Sequence, residues 1–159
     1  MAQQPFVGNP ADIHMGPASI TYNGKNLGYT LNDSVEISTP MTVTPITPDQ
    51  SSLPIKDIVT GVEATVTMTL GEVNVANLKL LPGADGNGLK DPVGIDMKAI
   101  AEELIVVPLD SGGGLSYTFP SASPMLSGAI QFAKNTPQGL QLTFKVYADS
   151  SNYYMNYSV

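Results

Sequence analysis

Residues 54–82, PIKDIVTGVEATVTMTLGEVNVANLKLLP, decide the fold. In residues 62–70 every second side chain is apolar, and the residues between them are a glutamate and three threonines. A repeat of two places alternate side chains on opposite faces of a strand. The sequence therefore predicts a strand with one apolar and one polar face. A short helix is predicted to follow over residues 71–81, with Asn74 as its N-cap.

The flanking sequence predicts further strands and little helix. Residues 18–30, ASITYNGKNLGYT, predict a hairpin that turns at Asn23 and Gly24. The remaining expected elements are a strand over 34–43 broken at Pro40, a helical turn over 96–103, strands over 104–109, 115–119, 127–133 and 140–148, and an edge strand within 153–159. Together they predict a mainly β fold, with residues 1–159 forming a single domain.

Two segments lack a regular pattern. Residues 1–16 contain two prolines and two glycines and predict an extended N-terminal arm. Residues 40–61 contain four prolines and predict a long extended loop, of a length that is usually disordered or functional. The loop carries isolated apolar residues that favour docking on another molecule over free solvation: Ile46, Leu53, Ile55 and Ile58.

Charge and composition narrow the function classes. The 159 residues carry a formal charge of -7, with 14 acidic residues against 7 lysines and no arginine. Without guanidinium groups, and with a net charge that repels a polyanion, tight DNA binding is not expected. The absence of cysteine excludes disulfides, thiolate nucleophiles and zinc–thiolate sites. No apolar run approaches the ~20 residues of a membrane span, so the sequence predicts no membrane anchor and a chain made in the cytosol.

Residues that could perform catalysis are sparse. His14 is the only histidine and lies in the N-terminal arm, where a solvated side chain is the expected state. Asp85, Asn87 and Asp91 have part of the spacing of a calcium loop, but Lys90 stands at the sixth position, where that loop needs glycine. A polar turn is the favoured interpretation of this run. We therefore expect no enzyme activity, no cofactor and no metal.

Residues 16–82 resemble a known family. The hairpin GPASITYNGKNLGYT, the strand SVEIST, a long arm and the block PIKDIVTGVEATVTMTLGEVNVANL together resemble the major tail tube protein of tailed bacteriophages. The resemblance implies a β-sandwich or split barrel with one short flanking helix. It also implies assembly into stacked hexameric rings whose ring-shaped inner β-barrel is the conduit for DNA ejection. The expected location is the virion, after assembly in the host bacterial cytoplasm.

The resemblance also implies partners and residue roles. The expected partners are copies of this chain, other tail proteins at the tube ends, and double-stranded DNA that passes without specific binding. Residues 40–61 correspond to the arm that contacts neighbouring subunits, which assigns inter-subunit contacts to Ile46, Leu53, Ile55 and Ile58. Glu36 and Glu63, on polar strand faces, are the candidates for residues that face the lumen.

Two alternatives remain open from the sequence. The same pattern fits the inner tube subunit of a contractile bacteriocin or injection particle. A β-sandwich carbohydrate-binding or adhesion module is a different class, suggested by the tyrosines near the end of the chain: Tyr147, Tyr153, Tyr154 and Tyr157. Tyrosines on an edge strand more often cover a core or an interface than bind sugar.

Overall fold

Antiparallel strands make up most of the computed structural model, which describes residues 8–109 and 113–159. In these residues a 3₁₀ turn at Pro10–Asp12 precedes one eight-stranded sheet, one two-stranded sheet and a single α-helical turn. The elements are β1 Ala18–Tyr22, β2 Lys25–Asn26, β3 Glu36–Ser38, β4 Met41–Ile46, β5 Lys56–Val62, β6 Thr65–Leu70, α1 Val75–Leu78, β7 Glu102–Pro108, β8 Ser116–Leu126, β9 Leu140–Tyr147 and β10 Asn156–Ser158. The predicted mainly β class is confirmed.

The large sheet has the order β2-β1-β7-β8-β9-β6-β3, with β10 paired to β8. β8 is long enough to serve two sets of partners. Residues up to Ala122 pair with β7 or β10, and residues from Ser121 onward pair with β9. β4 and β5 form the separate two-stranded sheet. No helix in the described part of the chain is both long and apolar enough to cross a membrane.

The sheet curls so that its apolar face becomes the core. Tyr22 of β1 packs against Phe144 of β9 with ring centroids 5.1 Å apart, although β7 and β8 lie between these strands in the sheet. The Tyr22 hydroxyl donates a hydrogen bond to the Ala122 carbonyl oxygen at 3.0 Å. Burial, with the negative charge of Glu102 nearby, raises the pKa of Tyr22 to about 12. The two sides of the curled sheet therefore close on each other.

The alternation predicted for β6 and β9 is confirmed. Their inward side chains are fully or almost fully buried: Val66, Met68, Leu70, Leu140, Leu142 and Phe144. The predicted β6 pattern extended back to Val62, but Val62 belongs to β5 and is exposed. The break falls where the Glu63 backbone N–H donates to the Pro40 carbonyl oxygen at 3.0 Å and the chain turns into the large sheet.

Local turn and cap signals are also confirmed. Asn23 and Gly24 both have positive φ, 51° and 77°, as a tight two-residue hairpin turn requires. The Asn74 side chain accepts a hydrogen bond from the Asn77 backbone N–H at 2.8 Å, so Asn74 is the N-cap of α1. The helix is shorter than predicted. Its Asn77 side chain is buried and donates to the Leu27 and Glu72 carbonyl oxygens.

Two predicted elements are wrong. Residues 97–100 form turns, and β7 begins at Glu102 where a helical turn was expected. Residues 127–133 form no strand, because β8 runs unbroken to Leu126 and the chain then leaves the sheet. Pro124 lacks a backbone N–H and cannot donate a hydrogen bond to a neighbouring strand. It is tolerated in β8 because, beyond Ala122, the described pairing of β8 is with β9 on one side only.

Residues 40–61 differ most from expectation. They form a β-hairpin, β4 and β5, where the prolines predicted a loop without secondary structure. Proline is tolerated in an edge strand, and Pro45 pairs with Asp57 inside this hairpin.

The edge strand predicted within residues 153–159 is confirmed, since β10 pairs with β8. Of the predicted N-terminal arm, residues 1–7 lie outside the described part of the chain.

Removing the ring that closes the curl should destabilise the fold. We expect Phe144→Ala to lower the free energy of unfolding by about 3–5 kcal/mol, the usual cost of deleting a buried phenyl ring. Urea denaturation followed by circular dichroism measures this difference. The adjacent variant Thr143→Ser, on the opposite face of β9, should change it by less than about 1 kcal/mol. Equal effects of the two variants would contradict this description of the core.

Candidate assembly surfaces

The hairpin of β4 and β5, called here the arm (residues 41–62), projects from the sheet. Every residue of both strands is exposed, and among the described helices and strands β4 and β5 contact only each other. An isolated two-stranded hairpin is marginally stable in water. The arm is thus an exposed element that packs on no other helix or strand of the described chain.

The two faces of the arm differ in chemistry. Cross-strand pairing places Met41 opposite Val62 and Val43 opposite Val59, so that one face is aliphatic near its base. A bulge between Thr42 and Val43 shifts the register. On the other face the Thr44 and Thr60 hydroxyls lie 3.1 Å apart and share a hydrogen bond. The aliphatic face was not anticipated, although the alternation of apolar residues and threonines in residues 41–44 was a usable signal.

The far end of the arm, called here the tip (residues 46–58), holds the four predicted contact residues. Ile46, Leu53, Ile55 and Ile58 all lie in this end of the hairpin, with exposed fractions of 43%, 70%, 71% and 42%. The Ile55 backbone N–H donates to the Ile46 carbonyl oxygen at 2.9 Å, which continues the hairpin beyond the paired strands. Their assignment as inter-subunit contacts stays a prediction, but their exposure is compatible with it.

The outward face of β3, β6 and β9 is rich in hydroxyl groups. One row across the strands contains Glu36, Thr67 and Thr143, and the next row contains Ser38, Thr65 and Lys145. We call these six residues the hydroxyl face. Their neighbours along each strand point into the core, so the face shows alcohols and few charges to its surroundings.

Both predicted lumen residues lie at this face. Glu36 is exposed on β3, and the Glu63 carboxylate accepts a hydrogen bond from the Lys145 ammonium at 2.9 Å. This hydrogen bond and the positive charge of Lys145 hold the pKa of Glu63 below its ordinary value. The ammonium group of the hydroxyl face is therefore balanced by a carboxylate.

A second uncovered surface lies beside β8 and β9. Here the loop of residues 81–97 crosses the outward side of the sheet, held by a hydrogen bond from the Ser123 hydroxyl to the Met97 carbonyl oxygen. Between loop and sheet is a cavity of about 480 Å³, called here the lysine groove. Its lining comprises Leu81, Pro82, Leu89, Lys90, Pro92, Ile95, Met97, Met125, Leu126, Lys145 and Tyr147. No local sequence signal indicates this groove, because its residues come from distant parts of the chain.

No cluster of metal-binding side chains is found in the described residues. Their histidine, aspartate and glutamate side chains nowhere form a group of three that could hold a metal ion. The Asp85 carboxylate accepts hydrogen bonds from the Asn87 and Gly88 backbone N–H groups at 2.8 and 2.9 Å, and these bonds lower its pKa. The acidic run 85–91 therefore forms a turn, as the polar-turn interpretation predicts.

Comparison of the chain with protein-family models and with curated protein sequences finds no match.

The ion pair on the hydroxyl face gives a direct test of its geometry. We expect Lys145→Gln to raise the pKa of Glu63 toward its ordinary value, because the variant removes the neighbouring positive charge. Carboxyl-carbon NMR titration of both proteins measures the shift. Because the pKa of Glu63 is lower in the folded state than in the unfolded state, the ionised carboxylate stabilises the fold at pH values above the unfolded-state pKa. This stabilisation is lost as the pH falls through the folded-state pKa.

The matched control is Lys134→Gln, which removes a lysine elsewhere on the surface. It should leave the Glu63 titration unchanged. A Glu63 pKa that stays low in Lys145→Gln would contradict the assigned cause.

Proposed function

We propose that this chain is the subunit of a bacteriophage tail tube, a structural protein that self-assembles into stacked hexameric rings around a conduit for DNA. The arm is the observation that carries the proposal. It is a complete hairpin whose strands contact only each other in the described structure, and its apolar side chains are uncovered. Such an element is expected to be stabilised by a surface outside its own chain.

Burial of the arm on a neighbouring copy would supply a substantial driving force. Fully burying an aliphatic side chain contributes about 1.5–3 kcal/mol, before the entropy cost of association is subtracted. Both the tip and the aliphatic face of the arm carry several such side chains that are 40% exposed or more. A contact repeated in every copy multiplies this gain across a ring or a stack.

The edges of the large sheet favour the same proposal. The three-residue strand β3 pairs with β6, and no described strand pairs with its other side. A free edge is a template for a strand from another chain. Pairing between copies around a ring would join the curled sheets into the continuous inner barrel that the resemblance implies. In this arrangement each subunit is a split barrel completed by its neighbours.

The hydroxyl face suits the wall of a DNA conduit. Its ammonium group, on Lys145, is paired with Glu63, and the chain as a whole has no arginine and a formal charge of -7. Because the one ammonium group of the face is balanced by carboxylates, the face has no net positive charge to hold phosphate groups, so DNA slides past it. We therefore assign this face, with Glu36 and Glu63, to the lumen.

Removal of the outer part of the arm tests the proposal. In the variant, residues 44–58 are replaced by an Asn-Gly turn that joins the paired residues Val43 and Val59. We expect the wild-type protein to form tubes at high concentration and the variant to form none, as seen by negative-stain electron microscopy. Its free energy of unfolding should change by less than about 1 kcal/mol, because the deleted strands contact only each other.

A subtler pair of variants controls for the deletion. Leu53→Ser combined with Ile55→Ser keeps the hairpin and removes two apolar side chains of the tip, so it should also reduce tube formation. Ser52→Ala alters an exposed residue of the same tip and should leave assembly unchanged. Unimpaired tubes from the deletion variant, or a wild-type protein that remains a monomer, would contradict the proposal.

The lumen assignment has its own test, which uses the absence of native cysteine. We expect Thr67→Cys in assembled tubes to react with a small maleimide and to be protected from a large polymer-linked maleimide. The physical reason is that the large reagent must enter through the tube ends. Unassembled Thr67→Cys should react with both reagents, which serves as the reference.

Thr21→Cys, on the outward face of β1 across the curled sheet, is the matched position, since its side chain is half-buried like that of Thr67. It should keep its reactivity with the large reagent after assembly. If Thr67→Cys in tubes reacts with the large reagent as fast as the unassembled protein does, the hydroxyl face does not line the lumen.

A further inference from the structure

We infer that the lysine groove receives the tip of the arm from a neighbouring copy of this chain. This inference rests on the proposed function, because it requires that copies assemble. It identifies the acceptor surface for the tip, which the assembly proposal leaves open. Two uncovered features of one chain, an apolar tip and an apolar groove, would then cover each other.

The groove has the size and surface that the tip needs. Leu89, Ile95, Met125 and Leu126 line it and remain 51%, 38%, 37% and 42% exposed. A dry cavity of about 150 Å³, lined by aliphatic and aromatic side chains, is sufficient to bind benzene. The volume of about 480 Å³ therefore has room for more than one aliphatic side chain. Leu53 and Ile55, the most exposed apolar residues of the tip, are the matching side chains.

The groove and the tip carry complementary charges. Lys90 and Lys145 line the groove, and its lining includes no carboxylate. The tip carries Asp49 and Asp57 with a single lysine, so its formal charge is negative. In a chain of charge -7 with only 7 lysines, a surface holding two of them is a favourable place for an acidic segment.

Lys90 and Lys145 can each form an ion pair with a second carboxylate. Lys90 lies 3.5 Å from the Asp85 carboxylate, and Lys145 lies 2.9 Å from that of Glu63. An ammonium group has three N–H donors, so one carboxylate partner leaves donors for another. The side chain of Lys90 is 78% exposed and that of Lys145 is 37% exposed, so both are accessible to an incoming carboxylate.

The tip that enters the lysine groove belongs to another copy and not to the same chain. Leu53 and Ile55 are about 70% exposed in the chain itself, so the tip does not occupy the groove of its own molecule. A contact between two different surfaces, tip and groove, is heterologous, and each copy then both donates a tip and accepts one. Such a contact propagates along a ring or a stack, which is the geometry that a tube requires.

Disulfide trapping between two single-cysteine variants tests the inference, because the chain has no native cysteine. Ile55→Cys places a thiol on the tip, and Met125→Cys places one in the groove. The two proteins are mixed under tube-forming conditions and oxidised. We expect a disulfide-linked heterodimer, because bonded cysteines have Cα atoms about 4.4–6.8 Å apart and seating of the tip brings these positions within reach.

A second acceptor variant controls for random collision. Val35→Cys lies in a different cavity, between β3 and the β1–β7 pair, whose lining includes Asp33 and no lysine. The yield of disulfide-linked heterodimer from Val35→Cys and Ile55→Cys should be several-fold lower than the yield from Met125→Cys and Ile55→Cys. Adding Lys90→Glu to Met125→Cys should also lower the heterodimer yield several-fold, since it brings a like charge toward the acidic tip. Circular dichroism establishes that each variant is folded.

The outcomes separate the inference from the proposed function. If the wild-type protein forms tubes but Ile55→Cys bonds equally well to Val35→Cys, or not to Met125→Cys, the groove is not the acceptor and the tube proposal stands. Disulfides between two Met125→Cys copies in place of the heterodimer also overturn the inference. If the wild-type protein forms no tubes, the proposed function fails and the inference falls with it.

Discussion

The packing of Phe144 against Tyr22 is the contact on which the rest of the structure depends. It joins two strands that are separated by two others in the sheet, and so it fixes the curl that encloses the core. Once the inward faces of β6 and β9 are buried against β1 and β7, their outward faces must contact solvent or another molecule. The threonines of the hydroxyl face satisfy that requirement, since they are compatible with both a strand and water.

The same curl explains why the arm is left without a partner. β3 and β6 end their pairing at Ser38 and Thr65, and the chain continues beyond this point as β4 and β5. The core is already closed by side chains of the large sheet, and β4 and β5 contact no other helix or strand of the described chain. The arm's aliphatic pairs Met41–Val62 and Val43–Val59 therefore stay exposed, and assembly is the physical process that would bury them.

The sequence predicted the features that depend on neighbouring residues. Strand alternation, the Asn23-Gly24 turn and the Asn74 cap are local, and each is observed. The failures have tertiary causes. Pro45 was interpreted as a break in the chain's regular structure, yet a strand with a free side tolerates proline. The lysine groove combines a loop and two distant strands, and no repeat or motif in one segment specifies such a surface. The four tip residues were predicted as contacts from a local signal, isolated apolar residues in a polar loop, and the structure shows them exposed.

Charge then constrains how copies of this chain can associate. A subunit of charge -7 repels its own copies at distances up to the Debye length, about 8 Å at physiological ionic strength. Apolar burial acts only at contact, so productive encounter requires positive groups where an acidic segment arrives. Lys90 and Lys145 provide these groups beside the apolar lining of one groove. The contact is selective because this groove combines two lysines with an apolar lining, whereas the cavity beside Val35 has an aspartate and no lysine in its lining.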